Sequence, residues 1–99
     1  MKAYVHPEIE SVPLEKAMHA LSDRSRIAIM RALLEHQELA CNELPIELAK
    51  ATLSHHMGVL RDAGLIVTRV EGTKCLNAIR EEAFVHQFPG LLELIRTCK

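Results

Sequence analysis

Apolar residues recur at spacings of three and four along most of this 99-residue chain, a period that is typical of amphipathic helices. Pro13 suits the first turn of a helix, and Ser22 and Asp23 suit the cap of the next one. Pro45 would cut off a third helix, and Gly64 would close a fourth. The pattern therefore predicts four helices, which run from Pro13 through Leu21, from Asp23 to near His36, over Glu38–Leu44, and over Lys50–Ala63.

The period becomes strand-like after Gly64. Leu65–Glu71 and Lys74–Ile79 are runs rich in Val, Ile, Thr and Leu, and Gly72 between them suits a tight turn. These features predict a two-stranded hairpin.

Helical segments follow the hairpin, first over Arg80–Gln87 and again after Pro89. Residues 1–12 contain Pro7 and are expected to form an irregular arm. The predicted fold class is therefore mainly α with a small β-hairpin, in a single domain of residues 13–99 that follows the arm of residues 1–12.

Composition narrows the function classes. No apolar run approaches the length of a membrane span and no secretory signal is visible, which predicts a cytoplasmic protein without membrane contact. The three cysteines show no CxxC spacing, which argues against a disulfide framework and against a structural zinc site. With only 3% aromatic residues, the core is expected to be aliphatic.

Charge is spread unevenly, although the net charge is only −1. Residues 50–80 carry five basic and two acidic side chains, whereas residues 1–49 carry five basic and eight acidic ones. A basic centre of this kind can present a phosphate-binding face. Ordinary fluctuation in a short chain explains the same numbers equally well, so charge alone does not decide.

The fourth predicted helix has two distinct faces. The side expected to face the core holds Leu53, His56, Met57 and Leu60. The opposite side holds mostly short residues between two cations, namely Lys50, Ala51, Ser54, His55, Gly58 and Arg61. Short polar residues suit the major groove of DNA, and the hairpin would add Arg69, Thr73 and Lys74 beside the helix. On periodicity alone, a solvated amphipathic surface helix is the favoured interpretation, and the order of short helix, turn, longer helix and basic hairpin is what favours DNA.

Four segments carry a family resemblance, namely AMHALSDRSRIAIMRALL, HQELACNEL, ATLSHHMGVLRDAGLI and VTRVEGTKCLNAI. In these segments and their order, the chain resembles the ArsR/SmtB family of bacterial winged-helix repressors from about Leu14 to Ile79. The resemblance implies a winged helix-turn-helix and a homodimer that occludes promoters until a signal releases it. It assigns the base- and phosphate-contacting stretch to Lys50, Thr52, Ser54 and His55, and the wing to Arg69, Thr73 and Lys74.

The chain also departs from the family. Arg24 stands where the family often has Pro, and Gly58 stands where a basic residue is common. The connection LPIELAK before the recognition helix is short, so little helix is expected there.

Neither of the family's metal patterns is complete. Where a cysteine pair is usual, this chain reads ELACN with Cys41 alone, and the C-terminal region offers only His86. His55 and His56 are adjacent and diverge on a helix, so they cannot share an ion well. We expect no metal site, no cofactor and no catalytic centre. The inducer is open: oxidation of Cys41 or Cys98 is one candidate, against the alternative that both thiols are inert.

The favoured function is a dimeric repressor bound to a palindromic operator in double-stranded DNA. Its homodimer would join the apolar stripes of the first and last helices across a twofold axis. Two alternatives are a winged-helix module for protein–protein contact and a thiol- or metal-binding protein without DNA function.

Overall fold

The computed structural model describes residues 4–99, which form five α-helices and a three-stranded antiparallel sheet. The helices are α1 (Leu14–Ala20), α2 (Arg24–Glu35), α3 (Lys50–Asp62), α4 (Glu81–Gln87) and α5 (Leu91–Thr97). The strands are β1 (Leu39–Ala40), β2 (Ile66–Glu71) and β3 (Lys74–Ile79). This order of elements is that of a winged helix-turn-helix, as predicted.

The helix ends follow the capping signals in the sequence. Oδ1 of Asp23 accepts hydrogen bonds from the backbone N–H groups of Ser25 at 2.8 Å and Arg26 at 3.1 Å, which starts α2. These bonds, that of Arg26 foremost, hold the pKa of Asp23 below its usual value. Gly64 follows α3 with a φ of +75°, a left-handed conformation that ends a helix and favours glycine.

The sheet has the strand order β1-β3-β2, so a third strand extends the predicted hairpin. Strands β2 and β3 pair from Ile66 with Ile79 to Glu71 with Lys74, and only two residues form the turn between them. Gly72 in this turn has a φ of +63°, which a two-residue hairpin turn commonly needs.

The prediction of a helix over Glu38–Leu44 is wrong. β1 instead pairs with Leu76 and Asn77 of β3, and Cys41–Glu43 form a single 3₁₀ turn. Pairing with β3 satisfies the backbone groups of Leu39 and Ala40 directly, and this pairing is incompatible with a helix over the same residues. Residues 44–49 contain no helix, as the short connection predicted.

The core is built largely from aliphatic side chains, as the composition predicted. Its fully buried large apolar residues are Ile29, Met30, Met57, Leu60, Leu65, Ile66 and Phe84. The arm contributes as well, since Ile9 and Val12 are each 3% exposed and belong to the same cluster. The described part of the arm, residues 4–12, is irregular apart from a 3₁₀ turn over Ile9–Ser11. The first three residues assigned to the arm lie outside the described residues.

Helices α1 and α5 leave apolar side chains on the surface. Leu14, Met18 and Leu94 are 59%, 50% and 52% exposed. Met18 and Leu94 line one depression between the two helices. The stripes predicted on these helices are therefore only partly buried within one copy of the chain.

None of the helices in residues 4–99 has both the length and the apolar content that crossing a membrane requires.

Candidate nucleic-acid interface

Helix α3 has the two faces that the sequence predicts. Its buried residues are His56, Met57 and Leu60, with Leu53 half-buried beside them. Its exposed residues are Lys50, Ala51, Thr52, Ser54 and His55, together with Asp62 at the C-terminal end. The first five lie in the N-terminal half of the helix, which is the half that a recognition helix places against base edges.

A buried arginine fixes α3 to α2. Arg26 is 7% exposed, and its Nε donates to the backbone carbonyl of Ala20 at 2.7 Å. Its Nη1 lies 3.0 Å from Nδ1 of His56. Because arginine only donates, that nitrogen accepts, and the imidazole proton is on Nε2, 4.0 Å from Oδ1 of Asp23. His56 therefore anchors α3 from its buried side, where its position on the helix predicted it, whereas the role of Arg26 was not predicted from the sequence.

Four predicted DNA contacts on α3 are free of other bonds in residues 4–99. The side chains of Lys50, Thr52, Ser54 and His55 make no hydrogen bond or ion pair in that part of the chain. The ring of His55 has an aromatic neighbour in His56, with centroids 5.8 Å apart. The polar groups of Lys50, Thr52, Ser54 and His55 are therefore available to a ligand.

Arg61, at the other end of α3, is already engaged. Its Nε donates to Oγ1 of Thr68 at 3.0 Å, and its guanidinium carbon lies 4.1 Å from the centroid of the Tyr4 ring. That second contact has the geometry of a cation–π interaction. Arg61 is predicted from the sequence to contact DNA, and in the structure it also ties α3 to β2 and to the arm.

Two carboxylates hold Arg69 on the wing. Its Nε and Nη2 donate to the two oxygens of Glu38 at 2.8 Å each, and its Nη1 donates to Glu71 at 2.5 Å. These bonds, those to Glu38 first, raise the pKa of Arg69 and lower that of Glu38. The ion pairs of Arg69 with Glu38 and Glu71 are exposed to solvent, so they contribute little to the stability of the fold. Its charge, however, is largely compensated before any phosphate approaches.

A cleft of about 510 Å³ separates α3 from the wing. Of the eight predicted DNA contacts, its lining brings together Lys50, Ser54, Arg61, Thr73 and Lys74. Thr52, His55 and Arg69 lie outside this lining. The predicted contacts thus form a concave surface between α3 and the tip of the wing, with further polar groups around it.

A buried polar network lies beneath the cleft. Oγ1 of Thr68 accepts from Arg61 and donates to Oδ1 of Asn77 at 2.8 Å, and Nδ2 of Asn77 donates to the carbonyl of Leu39 at 3.1 Å. Thr68 and Asn77 are 3% and 0% exposed, and no buried side-chain polar atom in residues 4–99 lacks a partner. Satisfied buried groups favour one arrangement over others, so this network fixes the wing relative to α3.

The roles of Tyr4, Thr68 and Asn77 were not predicted from the sequence. Their bonds join elements that are distant in the chain, which periodicity does not report. One signal was present: an asparagine in the middle of an otherwise apolar strand, where an unpaired amide would be costly.

The cysteines considered for a switch lie in different places. Cys41 is half-buried in the cleft, whereas Cys98 is exposed after α5, where its carbonyl accepts a hydrogen bond from Arg31. The proposal that either thiol is a switch stays a prediction. Across residues 4–99, no three His, Cys, Asp or Glu side chains are grouped as a metal site would require.

Comparison with known proteins agrees with this geometry. Residues 21–69 match a family model described as a helix-turn-helix domain. The chain is 40% identical over 79 residues to the helix-turn-helix-type transcriptional regulator YceK of Bacillus subtilis, covering 77% of this chain and 79% of that one. It is 34% identical over 85 residues to the arsenical resistance operon repressor of Staphylococcus xylosus, covering 85% and 81%.

A solved structure shows the same fold. The ArsR family transcriptional regulator RHA00566 superimposes with a TM-score of 0.67 at 29% identity, over 74% of this chain and 81% of that one. Together with the identity to the two regulators, this establishes that the chain belongs to the ArsR/SmtB family of winged helix-turn-helix proteins and is a DNA-binding transcriptional regulator.

Proposed function

We propose that the chain is a homodimeric repressor that places the N-terminal half of α3 in the major groove of a palindromic operator. One observation carries the proposal: Lys50, Thr52, Ser54 and His55 are exposed without partners in residues 4–99, on a helix whose other face is packed into the core. A solvated surface helix would not need the cleft and the exposed wing tip beside it.

The contacts divide by chemistry. Thr52 and Ser54 carry hydroxyl groups and His55 carries an imidazole, and we assign all three to base edges, where such groups can read sequence. Lys50 and Lys74 are assigned to phosphates, one at the start of α3 and the other at the wing tip. Thr73 adds a hydroxyl beside Lys74.

The two arginines belong to the proposed interface in a second role. Arg61 lines the cleft, and Arg69 lies in strand β2 of the wing. Each can contact a phosphate only by sharing or exchanging the bonds it already makes. They are therefore expected to add less to affinity than two free cations would.

Exposed apolar residues on α1 and α5 support the proposed dimer. Leu14, Met18 and Leu94 are half-exposed apolar residues on α1 and α5, and a second copy would cover them. A twofold axis through this face presents two copies of α3 to one side of the DNA, as a palindrome requires. Repression and release by a signal are proposed by analogy with the arsenical resistance operon repressor, and the place of action is the cytoplasm.

A DNA titration tests the proposal. A labelled duplex from the region upstream of the protein's own gene is compared with a shuffled duplex of equal length and composition, at two salt concentrations. We expect tighter binding to the natural duplex and a salt dependence that corresponds to several phosphates. Light scattering at micromolar concentration should give the mass of a dimer.

Each half of the proposal can fail separately. Equal affinity for both duplexes would remove sequence-specific repression, and absence of binding to either would favour the protein–protein module. A monomer mass would remove the dimer. His86→Ala, an exposed histidine on α4, is the matched control for His55→Ala in the same titration.

A further inference from the structure

Cys41 and Cys75 lie at the end of the β1–β3 ladder. Leu39 pairs with Asn77 and Ala40 with Leu76, so Cys41 and Cys75 each lie one residue beyond the last pair, with Cys41 at the start of the 3₁₀ turn. Paired residues in antiparallel strands have Cα atoms about 4.5–5.5 Å apart, and a disulfide spans Cα separations of about 4.4–6.8 Å. One residue beyond such a pair, the two backbones are close to the range that a disulfide can span.

The two side chains lie on the same face of the sheet. Cys75 and Asn77 are two residues apart in β3, and side chains two apart project to one side. Nδ2 of Asn77 donates to the sulfur of Cys41 at 3.4 Å, which places that sulfur on the same side. Both cysteines are half-buried free thiols that line the cleft beside α3, so a small molecule can reach them.

A tyrosine hydroxyl completes the cluster. The hydroxyl of Tyr4 lies 3.2 Å from the sulfur of Cys75, within hydrogen-bond distance for sulfur. This bond is the first cause that raises the pKa of Tyr4, so the phenol keeps its proton. A hydroxyl that keeps its proton can donate to the sulfur of Cys75, and the thiolate is the form of a cysteine that reacts.

We propose that Cys41 and Cys75 form a dithiol site that closes to an intramolecular disulfide on reaction with hydrogen peroxide, and that closure weakens DNA binding. The thiolate of Cys75 attacks the O–O bond and forms a sulfenic acid, and the released hydroxide takes up a proton to give water. The thiolate of Cys41 then attacks the sulfenic sulfur, and a second water leaves. Two thiols lose two electrons, and one peroxide becomes two waters.

The effect on DNA rests on the proposed function, because the cleft that holds the two thiols is also lined by Lys50, Ser54 and Lys74. Bridging redirects the sulfur of Cys41 from Asn77 and the sulfur of Cys75 from Tyr4. The Tyr4 ring lies over Arg61, so both the polar network and the cation–π contact are disturbed. The spacing between α3 and the wing tip then changes, and the two can no longer fit one duplex equally well.

Mass spectrometry tests the site without reference to DNA. In a Cys98→Ser protein, mild peroxide followed by unfolding and alkylation should leave no alkylated thiol and a mass lower by two hydrogen atoms. Adding Cys41→Ser or Cys75→Ser should abolish the intramolecular bridge. Two alkylated thiols after peroxide, or a bridge only between chains on a non-reducing gel, would overturn the proposal.

DNA affinity tests the consequence. The Cys98→Ser protein should lose about tenfold or more in affinity for its upstream duplex after peroxide, and dithiothreitol should restore it. The Cys41→Ser and Cys75→Ser versions should show no reversible loss. If the bridge forms and affinity is unchanged, the regulatory half is refuted. If the reduced protein does not prefer its upstream duplex, the proposed function fails, while the mass measurement still decides the dithiol site.

Discussion

The N-terminal half of α3 and strand β2 of the wing present two kinds of polar surface. Lys50, Ser54 and His55 are exposed and free of other bonds in residues 4–99, whereas Arg69 is clamped by Glu38 and Glu71. A free side chain loses only water and conformational freedom when it binds, whereas a paired cation must also loosen its existing bonds. Equal formal charge therefore does not mean equal capacity to bind DNA, and availability follows from the folded contacts.

A substitution on the buried face of α3 should give the largest effect. That effect should be on stability rather than on DNA recognition. Leu60 is fully buried, so Leu60→Ala leaves a cavity and should lower the free energy of unfolding by about 2–5 kcal/mol. Thr52→Ala on the exposed face is the control and should change it by less than about 0.5 kcal/mol. Urea denaturation followed by circular dichroism measures both. Similar losses for the two variants would mean that the faces of α3 are misassigned.

Substitutions on the exposed face of α3 should lower DNA affinity and leave stability nearly unchanged. Ser54→Ala and His55→Ala should each lower affinity for the cognate duplex by about 1–3 kcal/mol if they contact bases, with stability nearly unchanged. His86→Ala should leave both properties as they are. Fluorescence anisotropy and the same denaturation experiment separate the two readouts. Parental affinity in both α3 variants would exclude these side chains from recognition.

The sequence was sufficient for features that depend on local signals. The limits of α2 and α3 follow from Asp23 and Gly64, and the hairpin follows from Gly72 between two strand-like runs. Family resemblance then supplied the fold and the functional class, because its motifs occur in order at the right spacing. The inner and outer faces of α3 followed from helical periodicity alone.

Features that depend on contacts between residues far apart in the chain could not be predicted from the sequence. Glu38–Leu44 has a helix-like composition, but its backbone finds a pairing partner in β3, more than thirty residues away. Arg69 looked like a free cation because nothing near it in sequence shows that Glu38 folds beside it. Tyr4, in a segment read as a loose arm, reaches Arg61 and Cys75. Pairings of this kind are decided by the assembled fold.

The two wing cations should differ in a smaller but measurable way. Lys74→Ala should weaken binding to any DNA sequence and lower the slope of log affinity against log salt by about one, because a free phosphate contact is lost. Arg69→Ala should change that slope less, since Glu38 and Glu71 already compensate its charge. Affinities for specific and shuffled duplexes at several salt concentrations test this. A larger slope change for Arg69→Ala would contradict the comparison.

The smallest expected effect concerns pH and the arm. Nε2 of His6 accepts a hydrogen bond from the backbone N–H of Thr68 at 2.9 Å, which only the neutral ring can do. Burial first, then Arg61 and Arg80, lower the pKa of His6. His6 therefore binds a second ring proton less tightly in the folded protein than in the unfolded chain, where a histidine titrates at about pH 6.5.

The sign of the pH effect follows from that difference. The contribution of His6 is complete above about pH 6.5 and is lost as the pH falls below it. His6→Gln keeps an acceptor for Thr68 but does not titrate there. The parent should therefore lose more stability than His6→Gln between about pH 7 and 5 in thermal unfolding. Parallel losses in the two proteins would show that the arm does not sense pH through this bond.

The most direct test of the central claim is a residue-by-residue map of DNA contact by NMR. Labelled protein is titrated with its upstream duplex, and shifts of backbone amides and arginine Nε–H groups are followed. The account predicts the largest shifts over residues 50–55 and at Thr73 and Lys74, with a smaller change at the Nε–H of Arg69. Shifts concentrated on α1, α4 or α5, with residues 50–55 unmoved, would contradict it.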